Sequence, residues 1–197
     1  MIKLGAKDLR TTIPRKEDIA KIKKNPIYII LDNVLDTYNV GGIFRLADAV
    51  AAEKVILCGE TETPPDSRIK KASINTTEWV SWEYVSTAVE AIKKLRGEFS
   101  TSLEQYSSSE AKRNREVQKL RVIAIEQNKK SIPYDKADYD FPIALVVGHE
   151  SEGVSKEVLE IADQIVEIPM WGVNKSLNVI VSLGIVIYKA MEKCERF

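Results

Sequence analysis

The sequence has little of what small extracellular or metal-dependent proteins rely on. It holds two cysteines, Cys58 and Cys194, and one histidine, His149. That excludes a disulfide scaffold, a zinc finger and any His/Cys metal cluster, so we expect no metal. It has no long apolar run. The longest nearly continuous one, Val179 to Tyr188, is about half of the ~20 residues that cross a bilayer. The N-terminal stretch MIKLGAKDLRTTIPRK has no apolar core of the kind a signal peptide needs. With no membrane signal and few thiols, the expectation is a cytoplasmic protein. Nor is there an excess of one charge: 29 Lys and Arg balance 29 Asp and Glu over 197 residues. This excludes a polybasic or strongly acidic chain but leaves room for local basic faces.

Two such faces are present. Residues 1–24 hold eight Lys or Arg against three acids, and residues 112–130 hold seven against two. Each is either a solvated surface or an electrostatic footprint for a phosphate backbone. We read residues 1–25 as a basic extension and 26–197 as one domain. A polar insertion at about 97–118 is too poor in apolar residues to form its own core.

The rest alternates strand and helix signals. Strands are expected at Tyr28–Asp32, Lys54–Gly59, Trp79–Tyr84, Arg121–Glu126, Ile143–Val147 and Gln164–Ile168. Helices are expected at Gly42–Ala51, after Pro64–Pro65 to Ser73, from a Ser86 cap to Leu95, after Ser155, and from a Ser176 cap to the C-terminus. Short apolar strands between helices argue for an α/β fold, a mostly parallel sheet flanked by helices. The last helix is apolar nearly all round, which calls for a second covering layer and hence a homodimer.

In such sheets ligands sit beyond the carboxyl ends of strands, and three loops there stand out. After the first strand comes NVGGIFR, with Asn39 before two glycines and Arg45 beyond them. On structural grounds alone Asn39 caps the helix, the glycines turn the chain and Arg45 is a surface residue; functionally, the pair could hold an RNA phosphate or ribose. It is neither GxGxxG nor a P-loop. After the fifth expected strand comes VVGHESEGVS. Gly148 and Gly153, five apart, imply a close backbone approach, Glu150 and Glu152 read as loop acids, and His149 reads first as a packing or surface residue. After the sixth comes IPMWGVNKSLNV, a loop with one glycine ahead of Ser176 and Asn178.

In this order and spacing the three loops resemble the motifs of the SpoU (TrmH-like) branch of the SPOUT superfamily, RNA ribose 2′-O-methyltransferases that use S-adenosyl-L-methionine. The resemblance runs from about Ile27 to Tyr188. It implies a SPOUT fold with a C-terminal trefoil knot, a homodimer, and tRNA or rRNA as substrate. Carried over by position, the catalytic set falls on Arg45, Asn39, Glu150, Ser176 and Asn178. Cofactor contacts fall around Glu126, Gln127, Gly148, Ile168, Met170 and Leu177. One departure stands in the third motif: the family often has a small residue two positions after its asparagine, where this chain has Ile180.

A ribose hydroxyl is a poor nucleophile at neutral pH, so the protein must position it and manage its proton. A guanidinium scarcely gives up its proton in a protein. Arg45 is therefore expected to act as a fork on phosphate and on developing negative charge. Two other readings compete with this one. One is an RNA-binding dimer of this fold without methyltransferase activity, which the intact motif residues oppose. The other is a flavodoxin-like nucleotide binder, which needs a Gly- or Ser/Thr-rich loop after the first strand where this chain has Asp32–Tyr38.

Overall fold

A computed structural model describes residues 4–105 and 119–194. Seven parallel strands form one sheet in the order β3-β2-β1-β6-β4-β7-β5. They are β1 (Asn25–Asp32), β2 (Ala52–Cys58), β3 (Trp82–Val85), β4 (Arg121–Ile125), β5 (Ile132–Pro133), β6 (Ile143–Gly148) and β7 (Gln164–Glu167). The chain builds β1, β2 and β3 outward to one edge, restarts at β4, and later slots β6 between β1 and β4. Central strands read as unbroken apolar runs because both their faces are covered. In β6, Ile143, Ala144, Leu145, Val146 and Val147 are all buried.

Helices cover both faces. They are α1 (Ala6–Leu9), α2 (Lys16–Ala20), α3 (Thr37–Ala49), α4 (Ser67–Ser73), α5 (Ala88–Gln105), α6 (Lys156–Ile161) and α7 (Val179–Met191). On one face Phe44 of α3 and Leu183, Val186 and Ile187 of α7 pack on Ile29, Leu31 and Leu145. On the other, Ile92 and Leu95 of α5 and Val158 of α6 pack on Ile30, Val122 and Val146. The fold class read from the sequence is thus correct. Residues 97–105 continue α5, and the rest of the expected insertion, 106–118, lies outside the described residues.

Several local expectations need correction. Helix α3 starts at Thr37, two residues before Asn39, because the Asp36 side chain accepts from Tyr38 N at 2.8 Å and caps it. Gly41 and Gly42 therefore lie inside the helix, where neighbouring elements need the space. An ideal Cβ on Gly41 would stand 2.7 Å from Ile69 O of α4, and one on Gly42 would stand 2.4 Å from Ile180 Cδ1 of α7. The large Ile180 is accommodated because Gly42 has no side chain. Trp79 belongs to a 3-10 turn region rather than a strand, and its indole donates to Asp48 Oδ1 at 2.6 Å. Thr87, not Ser86, accepts the capping bond of α5, from Glu90 N at 3.1 Å. The sequence reading missed the two-residue β5.

Candidate active site

Beyond the carboxyl ends of β4, β6 and β7 lies a cleft of about 620 Å³. Its wall includes Glu126, Gln127, Gly148, Ile168, Met170 and Leu177, all six expected cofactor contacts, together with Glu150, Ser176 and Asn178. Asn39 and Arg45 are not among the lining residues.

The β6 loop is a tight turn closed on itself. His149 N donates to Gly153 O at 3.0 Å and Gly153 N to His149 O at 2.8 Å. His149 Nδ1 accepts from Ser151 N (2.9 Å) and Glu152 N (3.2 Å), so this ring shapes the loop. Gly148 is obligatory here: an ideal Cβ on it would stand 2.2 Å from the carbonyl of Gly153. Gly153 has φ +71°, the left-handed region that a side chain disfavours. Glu126 Oε2 locks the far side of the turn by accepting from Val154 N at 2.9 Å. Asp32 Oδ2 accepts from Ser155 N at 2.9 Å, tying the turn back to β1.

Side-chain hydrogen bonds join the three loops. Glu150 Oε2 accepts from Leu35 N and Oε1 from Asp36 N, both at 3.1 Å. Glu150 Oε1 also accepts from Asn39 Nδ2 at 2.8 Å. The buried Asn39 in turn accepts, through Oδ1, from Asn178 Nδ2 at 3.0 Å. Asn178 Oδ1 accepts from Ile180 N at 2.9 Å. It therefore caps α7, which corrects the assignment of that cap to Ser176. Ser176 lies in the preceding loop, its backbone N donating to Asn174 Oδ1 at 3.2 Å. Burial pushes the Glu150 carboxyl up, but donation from Asn39, from its own backbone amide and from those of Leu35 and Asp36 outweighs this. The carboxyl is held below its ordinary value and stays ionised, an acceptor and not an acid.

Arg45 is exposed on α3 and forms no ion pair or hydrogen bond with the described residues. At about 100° per residue it falls between the face carrying Gly41, against α4, and the face carrying Gly42, against α7. Sequence reasoning missed the backbone amides of Leu35 and Asp36 as Glu150 partners, the Glu126 lock, and the bond from Gln127 Nε2 to Lys175 O at 2.6 Å. An Asp at 36 ahead of a helical pattern was the available signal for the true cap of α3.

The cleft suits S-adenosylmethionine. Ile168 and Leu177 offer apolar contact for an adenine, and the glycine turn exposes backbone at close range. The carboxylates of Glu126, Glu150, Glu152 and Glu167 favour a cationic sulfur over an anionic ligand. Among the described residues, no group of His, Cys, Asp and Glu side chains could hold a metal ion.

Comparison with known proteins agrees with this geometry. Residues 26–188 match the family described as the SpoU rRNA Methylase family. A protein of Aquifex aeolicus (strain VF5), named tRNA (guanosine(18)-2'-O)-methyltransferase, is 30% identical over 193 residues, 95% of this chain and 79% of that protein. The Ralstonia nicotianae 23S rRNA (guanosine-2'-O-)-methyltransferase RlmB is 29% identical over 174 residues, 87% of this chain and 61% of that protein. Among solved structures, the A. aeolicus TrmH/SpoU tRNA modifying enzyme superposes with a TM-score of 0.69 at 28% identity, covering 95% of this chain and 81% of that one. The AdoMet-bound rRNA methyltransferase from Sinorhizobium meliloti gives a TM-score of 0.69 at 25% identity, covering 94% of this chain and 60% of that one. This chain spans about three fifths of the Ralstonia and Sinorhizobium proteins.

Proposed function

The chain belongs to the SpoU rRNA Methylase family, and from that membership and the cleft we infer that it is an S-adenosylmethionine-dependent RNA methyltransferase acting on a ribose 2′-hydroxyl of tRNA or rRNA. When bound, the cofactor supplies an electrophilic methyl group on a positively charged sulfur. The observation that carries the residue assignment is the chain of bonds from Glu150 through Asn39 to Asn178.

Glu126, Gln127, Gly148, Ile168, Met170 and Leu177 hold the cofactor. Arg45 takes the RNA. Its fork is uncommitted within the described chain, and a guanidinium pairs bidentately with phosphate. It steadies negative charge developing on the 2′-oxygen while the proton leaves to phosphate or water. Asn39, Glu150 and Asn178 position rather than react. Their polar atoms are spent on holding the three loops in one register, which fixes α3, and Arg45 with it, relative to the cleft. The Ser176 hydroxyl, on the cleft wall, is a hydrogen-bonding group for substrate or cofactor.

A C-terminal trefoil knot and a homodimer complete this reading. The knot is supported by the β6 and β7 loops lining one cleft and by the Gln127–Lys175 bond. The dimer is supported by the outer side of α7, where Val181 and Tyr188 are about half exposed. Ile187, by contrast, is fully buried in the protomer core and belongs to no interface. Among the described residues no helix is long and apolar enough to cross a membrane. We place the protein in the cytoplasm, with its RNA.

The test is incubation with methyl-labelled S-adenosylmethionine and unmodified tRNA and rRNA, followed by nucleoside analysis. A labelled 2′-O-methylnucleoside is expected. RNA binding with no methyl transfer under any of these conditions overturns the enzyme assignment in favour of the non-methylating RNA binder.

A further inference from the structure

We propose that the outer face of α4 and the tethered arm around Leu9 form one docking surface for the RNA phosphate backbone, leading to Arg45. The inference rests on the RNA reading above and names the surface that grips the substrate. It starts from where cations are neutralised and where they are not. Several basic residues around the sheet sit in tight pairs: Lys54–Glu83 at 3.2 Å, Arg96–Asp163 at 3.0 Å and Arg121–Asp138 at 3.0 Å, with Lys193 held by both Asp138 and Asp140. On α4 this compensation is weaker. Arg68 and Lys70 reach Asp66 and Glu78 only at 4.0 Å, and Lys71 pairs with no acid among the described residues. The Asp66 carboxylate is already engaged, accepting from Arg68 N and Ile69 N at 2.9 Å to cap the helix.

The arm adds charge to the same place. Asn75 Nδ2 donates to Leu9 O at 2.8 Å, pinning the end of α1 to the corner that follows α4. This ties the segment carrying the exposed Lys7 and Arg10, also without an acidic partner among the described residues, to the corner that follows Arg68, Lys70 and Lys71 in the chain. The corner is an unusual piece of backbone. Ile74 and Asn75 are both left-handed, with φ of 53° and 63°, and a β-branched residue rarely adopts that conformation. The strained corner is what presents the Asn75 amide to the arm.

The surface also has a direction. Gly41 lets the α4 backbone close on α3, so α4 forms one wall beside the exposed Arg45. Three cations without an acidic partner among the described residues, Lys7, Arg10 and Lys71, and two paired only at 4.0 Å, Arg68 and Lys70, suit the spaced negative charges of a sugar-phosphate chain. Such contacts carry affinity and salt dependence without reading sequence.

The test measures binding of an unmodified tRNA transcript across a series of salt concentrations, with cofactor binding and thermal melting alongside. Four chains are compared with wild type: Arg68→Gln/Lys71→Gln, Lys7→Gln/Arg10→Gln, the combination of the four, and Lys129→Gln/Lys130→Gln as a basic control elsewhere. The combined variant should bind RNA at least about tenfold more weakly near 0.15 M salt. Its slope of log affinity on log salt should be shallower by roughly 3, because each phosphate left unneutralised removes about 0.7–0.9. Cofactor affinity and melting temperature should be retained. Asn75→Gly keeps the left-handed backbone, drops the tether, and should reproduce the arm variant. An unchanged affinity and slope in the combined variant, or an equal loss in the control, overturns the proposal. So does salt-dependent capture of anionic vesicles by this face with RNA binding unaffected. A wild-type chain that binds RNA through this face but never methylates it would instead fail the enzyme reading alone.

Discussion

Asn39 Nδ2 donates to Glu150 Oε1 at 2.8 Å across 111 positions of sequence, and that bond holds the start of α3 to the turn after β6. The same carboxylate collects two backbone amides from the loop before the helix. Glu150→Gln keeps the shape but turns an amide donor toward donors. With Glu150 exposed to solvent, it should cost about 0.5–1.5 kcal/mol of stability and lower turnover more than cofactor affinity. Melting curves and single-turnover methylation check this. Wild-type stability with full activity would show that the three loops do not depend on this acceptor.

The same residue gives a pH signature. Its folded carboxyl lies below the ordinary value, so its stabilisation is complete above the unfolded value near 4.5 and is lost as pH falls through the lower folded value. Melting temperature against pH should show the wild type losing part of its stability below about pH 4.5, a part that Glu150→Gln lacks. Parallel profiles would assign acid sensitivity to other carboxylates.

Gly148 and Gly153 differ in how they should fail. A Cβ at 148 meets backbone, which cannot move aside, whereas one at 153 meets the Glu126 carboxylate in a strained left-handed conformation. Gly148→Ala should abolish cofactor binding by calorimetry and lower the melting temperature. Gly153→Ala combined with Glu126→Ala should recover stability relative to Gly153→Ala alone but not cofactor affinity. Normal cofactor binding by Gly148→Ala would mean the turn is not the cradle.

Arg45 lies outside the cleft wall, so its variants should separate chemistry from cofactor binding. Arg45→Lys keeps charge but loses the bidentate fork and should be nearly as inactive as Arg45→Ala, both with wild-type cofactor affinity. Near-normal methylation by the Lys variant would reduce the role to that of a point charge.

For the dimer, the informative positions are those the protomer leaves open. Val181→Asp with Tyr188→Ser should give a folded monomer with impaired methylation, whereas Ile187→Asp should unfold the chain because that side chain is fully buried. Ile185, partly buried, is a poorer probe. Light scattering of an active wild type at about 22 kDa would defeat the dimer proposal.

Much of this protein is set by sequence alone. Apolar runs such as Ile27–Leu31 and Ile143–Val147 can bury both faces only in a covered parallel sheet. Two glycines five apart at a strand end can close a turn that other residues cannot. The order of the three loops carried the family resemblance, and with it the cofactor and the residues of the cleft. Capping was less legible, because Asp36 and Asn39, or Ser176 and Asn178, are equally good caps in a local reading. Tertiary structure chose between them. Asn39 is drawn into the helix because Glu150 and Asn178, remote in sequence, take both ends of its amide. Gly41 and Gly42 sit inside a helix because α4 and Ile180 press on them. The division of Lys and Arg into neutralised pairs and an open flank likewise depends on which acids the fold brings near. Composition counts charges, and only the packed chain decides where they remain unpaired.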